Sequence, residues 1–241
     1  MTIVLVAVFG IALGALAHDL AVQGLREDPL RPFAGTCPRC RQVRGWQRIT
    51  CPHCGRRVGR EIVLALALAL MAVVAYRGLG FTPHFLVYLG FFVLTAALTV
   101  TDLEEFRIVD RLNFPGTLIL ALALAAVALA TGEGGPLLRG LLGAGAYFAG
   151  TSLMWVIAGG KGFGAGDVKL SPVLGLFTAF QSWGTLGWAV LITAFVGGLL
   201  GVAILLAGKG KDAELPYGPP MVIGAWTAIA LALGGAIPLP A

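Results

Sequence analysis

Eight apolar stretches run through these 241 residues, at 2–22, 61–79, 84–101, 115–130, 137–158, 170–180, 183–207 and 219–239, and they leave a chain like this few folds to choose from. A helix of about 20 apolar residues crosses a hydrocarbon core of about 30 Å. Most of the stretches reach that length, and the sixth, at eleven residues, spans only partly or re-enters. Backbone groups in lipid must be satisfied within the segment or in a closed barrel. The stretches are rich in Ala and Leu and lack the alternation of barrel strands, so the chain is expected to be all-α, a polytopic membrane protein of about eight transmembrane helices. Only 12% of its residues are charged and 58% are hydrophobic, against roughly a quarter charged in soluble domains.

Lysine and arginine orient the bundle, because short cytoplasmic loops collect them. Nine arginines lie between the first two stretches. Arg107 and Arg111 follow the third, Lys161 and Lys169 the fifth, and Lys209 and Lys211 the seventh. Every second loop is therefore basic, which puts those loops in the cytoplasm and both termini outside. The net charge of +5 is a topology signal; the expected surroundings are a lipid bilayer, with no nucleic acid. Ala15-Leu16-Ala17 has the small residues of a cleavage site, yet no basic start precedes it, so the first helix is read as uncleaved.

All four cysteines fall in the first basic loop, as Cys37-Pro38-Arg39-Cys40 and Cys51-Pro52-His53-Cys54 separated by ten residues. Paired thiolates on two tight turns close a tetrahedral shell around one zinc ion. Two disulfides are the rival arrangement, disfavoured in a reducing cytoplasm. Four thiolates leave no position for catalytic water, so the zinc is expected to be structural, ordering a loop too short to build a core. His53, between two of the cysteines, reads as an exposed loop residue, and residues 43–49 have room for a short hairpin.

Two carboxylates stand out against the apolar background. Asp102 ends the third stretch, and Asp167 sits in Lys161-Gly162-Phe163-Gly164-Ala165-Gly166-Asp167, just before the sixth. Ionisable groups are costly in a membrane and mark function by default. Two crossings separate them, so topology returns both to one face. A close pair of acids shares a proton, one acting as acid while the other draws a proton from water. Gly164 and Gly166 allow close backbone approach, so that an extended peptide lies beside Asp167. The plainer reading makes Asp102 an interface residue beside Glu104 and Glu105, Asp110 a partner of Arg107 or Arg111, and Lys169 an interfacial anchor.

In combination these residues resemble the type IV prepilin peptidases, a family of intramembrane aspartyl proteases with a Gly-x-Gly-Asp motif. Gly164-Ala165-Gly166-Asp167 continues into Val168-Lys169-Leu170 as that motif does, Asp102 matches the first acid, and Asp110 and Asn113 follow it in the family manner. Pro216-Tyr217-Gly218-Pro219 is similar to the family's Pro-Phe-Gly-Pro turn. The resemblance implies catalysis by Asp102 and Asp167, with Gly164, Gly166, Lys169 and Asp110 positioning the substrate. It implies cleavage of a basic leader from prepilin or pseudopilin precursors at the cytoplasmic face of a bacterial inner membrane. It divides the chain into a first transmembrane helix (1–22), a zinc-binding loop (23–60) and a membrane peptidase domain (61–241). Larger members use a four-cysteine loop in methylating the new amino terminus from S-adenosylmethionine. Cys37, Cys40, Cys51 and Cys54 match that loop with a shorter spacer, and Glu61 resembles a family glutamate. The Phe, Asn and Arg pattern of methylating members is missing from the first helix, where His18 and Asp19 stand instead. Methylation is thus left open. Two other classes share the raw features: a proton-coupled transporter, which requires paired broken helices where one glycine-interrupted segment is seen, and an inert zinc-bearing assembly scaffold.

Overall fold

The computed structural model describes residues 1–25, 37, 40, 51, 53–54, 59–159, 164–207 and 216–236. Among them are eight helices: α1 (Thr2–Gly24), α2 (Gly59–Leu79), α3 (Pro83–Glu105), α4 (Asp110–Ala130), α5 (Gly134–Ile157), α6 (Ala165–Gln181), α7 (Trp183–Leu206) and α8 (Gly218–Leu233). Six are long and apolar enough to cross a membrane; α8 is apolar and shorter, and α6 has 17 residues with Asp167 and Lys169 in its first turns. The expected all-helical, multi-pass architecture is the one found.

Packing follows chain order in antiparallel pairs, α1 on α2, α5 on α6 and α7 on α8, with α3 reaching α1, α2, α4, α6 and α8. Helix α3 is the mast of the bundle. Its apolar window is 67% buried, against at most 33% in the other five spanning helices. It is also the most aromatic: Phe91 stacks on Phe177 of α6 at 4.4 Å between centroids, and Phe92 meets Trp226 of α8 edge-on. Tyr88, fully buried, donates its hydroxyl to the Phe177 carbonyl and receives a hydrogen bond from Gln181. Trp226 likewise donates to Thr95. Polar side chains inside an apolar bundle thus find partners and fix which helices meet.

Helix α6 carries Pro172, which cannot donate to the Val168 carbonyl one turn back. The Ser171 hydroxyl donates to that carbonyl instead, at 2.9 Å, so the helix continues with its backbone satisfied. Its other end is closed by Arg139 of α5, which donates to the carbonyls of Ala179, Phe180 and Gln181 at 2.6–2.9 Å. Helix α5 approaches closely enough that a methyl on Gly175 would lie 2.5 Å from the Gly143 carbonyl oxygen.

Helix boundaries shift where polar residues meet apolar ones. Helix α3 continues past residue 101 to Glu105 and stops at Phe106, whose φ of 52° is left-handed and whose N–H donates to the Asp102 carbonyl. Helix α4 begins at Asp110 rather than 115, with Pro115 inside it. Helix α6 begins at Ala165 rather than 170. Asp102 and Asp167 therefore lie within helices, in the last and first turns, rather than beside them. Residues 43–49 and most of the basic loops lie outside the described residues.

Candidate active site

The end of α3 and the start of α6 set two buried carboxylates at the same end of the bundle, 6% and 5% exposed for Asp102 and Asp167. Each is held by a backbone amide. Asp102 Oδ2 accepts from the Gly218 N–H at 3.0 Å, and Asp167 Oδ2 accepts from the Gly164 N–H, also at 3.0 Å. The two acids lie near enough for the charge of one to act on the other. Gly218 opens α8 and Asp167 stands third in α6. Each carboxylate thus sits at a helix amino terminus, whose partial positive charge offsets some of the cost of burying an anion.

The glycines act through closeness. A methyl on Gly218 would lie 2.7 Å from Asp102 Oδ2, and one on Gly166 would lie 3.0 Å from Ile108 Cγ1. Gly164, extended at φ −79° and ψ 147°, is where the chain enters α6. Gly166 lies inside the helix and packs tightly against the α3–α4 connection.

Lys169 and Asp110 meet each other. Lys169 Nζ bonds both Asp110 oxygens at 2.8 and 2.9 Å and lies 5.9 Å from the Phe114 ring centroid. Asn113, 1% exposed, donates to the Lys169 carbonyl at 2.8 Å. These bonds join the starts of α4 and α6 and thereby hold Asp167 in place. The pairing of Asp110 with Arg107 or Arg111 gives way to Lys169, which offers a bidentate partner on the helix packed alongside.

The Tyr147 side chain and the Gly218 amide escaped notice in the sequence. Tyr147 and Tyr217 both lie within electrostatic reach of Asp167. Tyr147 belongs to an apolar stretch where a single polar residue carries no spacing signal. The amide of Gly218 was visible only as part of a proline-flanked turn.

The four cysteine thiols gather as their spacing demands. All four Sγ atoms lie within 4.8 Å of one another, with Cys37–Cys54 at 3.6 Å and Cys40–Cys51 at 3.4 Å. Tetrahedral ligation at Zn–S distances of about 2.3 Å puts sulfurs about 3.8 Å apart, so the cluster fits one tetrahedral metal ion. All four are free thiols. Burial raises the Cys51 thiol, but hydrogen bonds from the His53 and Cys54 backbone and from the Cys40 and Cys37 thiols outweigh it, bringing Cys51 down to about 6. That favours the thiolate a metal needs. His53 is exposed. Near the loop's other end, His18 pairs with Glu61 across α1 and α2 at 3.4 Å.

A helical membrane protein that brings two buried carboxylates to one end of its bundle and gathers four thiols into a cluster fit for a metal ion has the outline of a membrane-embedded enzyme. Residues 88–206, which include both acids, match the type IV leader peptidase family. Over 211 residues the chain is 30% identical to a prepilin leader peptidase/N-methyltransferase of Pseudomonas aeruginosa, covering 80% of this chain and 70% of that one. Similar proteins of the same description occur in Aeromonas hydrophila, 30% identical over 76% of this chain and 63% of the relative, and in Aeromonas salmonicida, 31% identical over 76% and 62%. No solved structure gives a significant match. The chain belongs to the type IV leader peptidase family.

Proposed function

We propose that this protein is an aspartyl endopeptidase that removes the leader from type IV prepilin or pseudopilin precursors, with Asp102 and Asp167 as its catalytic pair. The carrying observation is the two buried acids at one end of the bundle, each tied to a glycine amide, with the charge of Asp102 acting on Asp167.

The chemistry follows from a shared proton. The ionised acid takes a proton from water as the water oxygen bonds to the peptide carbonyl carbon. The protonated acid gives its proton to the carbonyl oxygen, forming a tetrahedral diol. Collapse breaks the C–N bond, the acid that gained the water's proton delivers it to the leaving amine, and the other recovers one from the diol. Gly164 and Gly166 bring backbone close to Asp167, while Lys169 and Asp110 position that helix relative to the substrate path. Hydrolysis by this route calls on the carboxylates and water alone.

Cys37, Cys40, Cys51 and Cys54 hold one structural zinc ion in this reading, with every coordination position taken by sulfur. The relatives' names join leader cleavage to N-methylation. The same second reaction is assigned here, methylation of the new amino terminus with S-adenosylmethionine as methyl donor. The basic loops, the cysteine cluster and the acids face the cytoplasm of a bacterial inner membrane, on the strength of the arginine and lysine distribution.

The test is co-expression with a precursor. Asp102→Asn and Asp167→Asn are each expected to stop processing while the protein still inserts, as read by precursor size. Normal processing by either variant overturns the paired-acid mechanism.

A further inference from the structure

A groove of about 750 Å³ opens between α2, α3 and α8, within the roughly 300–1,000 Å³ usual for ligand sites. Its walls are apolar along most of their length: Leu64, Ala96, Val100, Val222 and Trp226 line it, with Ile223 on an exposed lip. Its polar end is lined by His18, Glu61 and Glu104, with His18 and Glu61 paired at 3.4 Å.

The groove reaches the catalytic end of the bundle without containing the acids. Leu103 and Glu104 line it and directly follow Asp102; Pro219 lines it and directly follows Gly218, the amide donor to Asp102. Successive lining residues Ala96, Val100 and Leu103 share one stripe of α3, and Pro219, Val222, Ile223 and Trp226 share one of α8. The groove therefore has a direction. Its carboxylates stand at the level of Asp102, and its apolar walls run about 10 Å from Leu103 back into the span at Ala96.

Hydrolysis beside Asp102 would release an apolar helix carrying a new ammonium group at that level. We infer that this groove holds the cleaved product, its ammonium against Glu61 and Glu104 and its first apolar side chains along α3 and α8. The assignment rests on the leader-peptidase reading and gives the product a station beside the acids instead of between them. There the amine is retained for its second modification. An acyl chain would match the walls but would bring no cation to the carboxylates, whereas the amino end of an apolar helix satisfies both.

The assignment is tested with the full chain in lipid nanodiscs and two synthetic peptides. Both carry the apolar segment that follows the cleavage site of a precursor, one with a free amino terminus and one acetylated. The free-amine peptide is expected to bind about tenfold tighter, the scale of one charge-assisted hydrogen bond. Glu61→Gln with Glu104→Gln should bring the two peptides to equal affinity. Ile223→Trp, which fills the groove from its exposed lip, should weaken both, while Ile3→Trp on the outer face of α1 should weaken neither. Equal affinity in the unaltered protein, or undiminished binding with Ile223→Trp, overturns the assignment. Precursor cleavage is scored in the same preparation: cutting without amine preference removes the groove assignment alone, and amine preference without cutting removes the hydrolytic reading.

Discussion

At Gly218 the absence of a side chain is a condition for the site. Because a methyl there would press on the Asp102 carboxylate, Gly218→Ala is expected to lower the cleavage rate by about 10- to 100-fold, the cost of misplacing a reacting group by up to about 1 Å. Single-turnover cleavage by membrane-inserted protein is the measurement; an unchanged rate would show that Asp102 does not need this amide. Phe106 illustrates the opposite case, a bulky residue where glycine fits better. Its left-handed conformation ends α3 with the ring half exposed, so Phe106→Gly should stabilise the fold by about 1 kcal/mol, read as a higher Tm. The two acids were legible from sequence because charge is scarce in a membrane span. Their backbone partners were not, since an amide is present in every residue and only folding aims it.

Among the elements, α6 is the one on which the site most depends. The sequence reading began this helix at Leu170 because hydropathy rises there; the structure begins it at Ala165, where the Asp167 side chain caps the Gly164 N–H and makes glycine-rich chain helical. Helix α3 likewise runs past its apolar stretch, through Asp102, Leu103, Glu104 and Glu105, until a left-handed residue stops it. At the far end of α6, three carbonyls depend on one guanidinium. Arg139→Leu should destabilise the protein by about 1.5–3 kcal/mol, the worth of hydrogen bonds to a charged group, seen as a fall in Tm. A Tm equal to that of the unaltered protein would assign those carbonyls to other partners. Nothing in the sequence pointed from Arg139 to those carbonyls, because its partners lie some 40 residues away.

Across the whole molecule, the membrane class, the helix number and the cysteine cluster were all readable in advance. Each rests on a local signal: length of an apolar run, or spacing of thiols. Which helices touch was not readable, because lipid makes nearly every face of these helices apolar and leaves the contacts to small residues and isolated hydroxyls. The zinc assignment predicts about one zinc per chain by metal analysis, the capacity of a four-thiolate shell, and its loss from Cys51→Ser; a variant that keeps its full metal complement would exclude Cys51 as a ligand.

The grip of Arg139 also makes α6 a lever. Asp167 lies twelve residues from Ala179, about 18 Å along the axis, so a tilt of about 5° around the gripped end sweeps the acid through about 1.5 Å. Because Lys169 and Asn113 tie the start of α6 to α4, such an adjustment moves both helix starts together and needs no unwinding of the turn that carries Asp167.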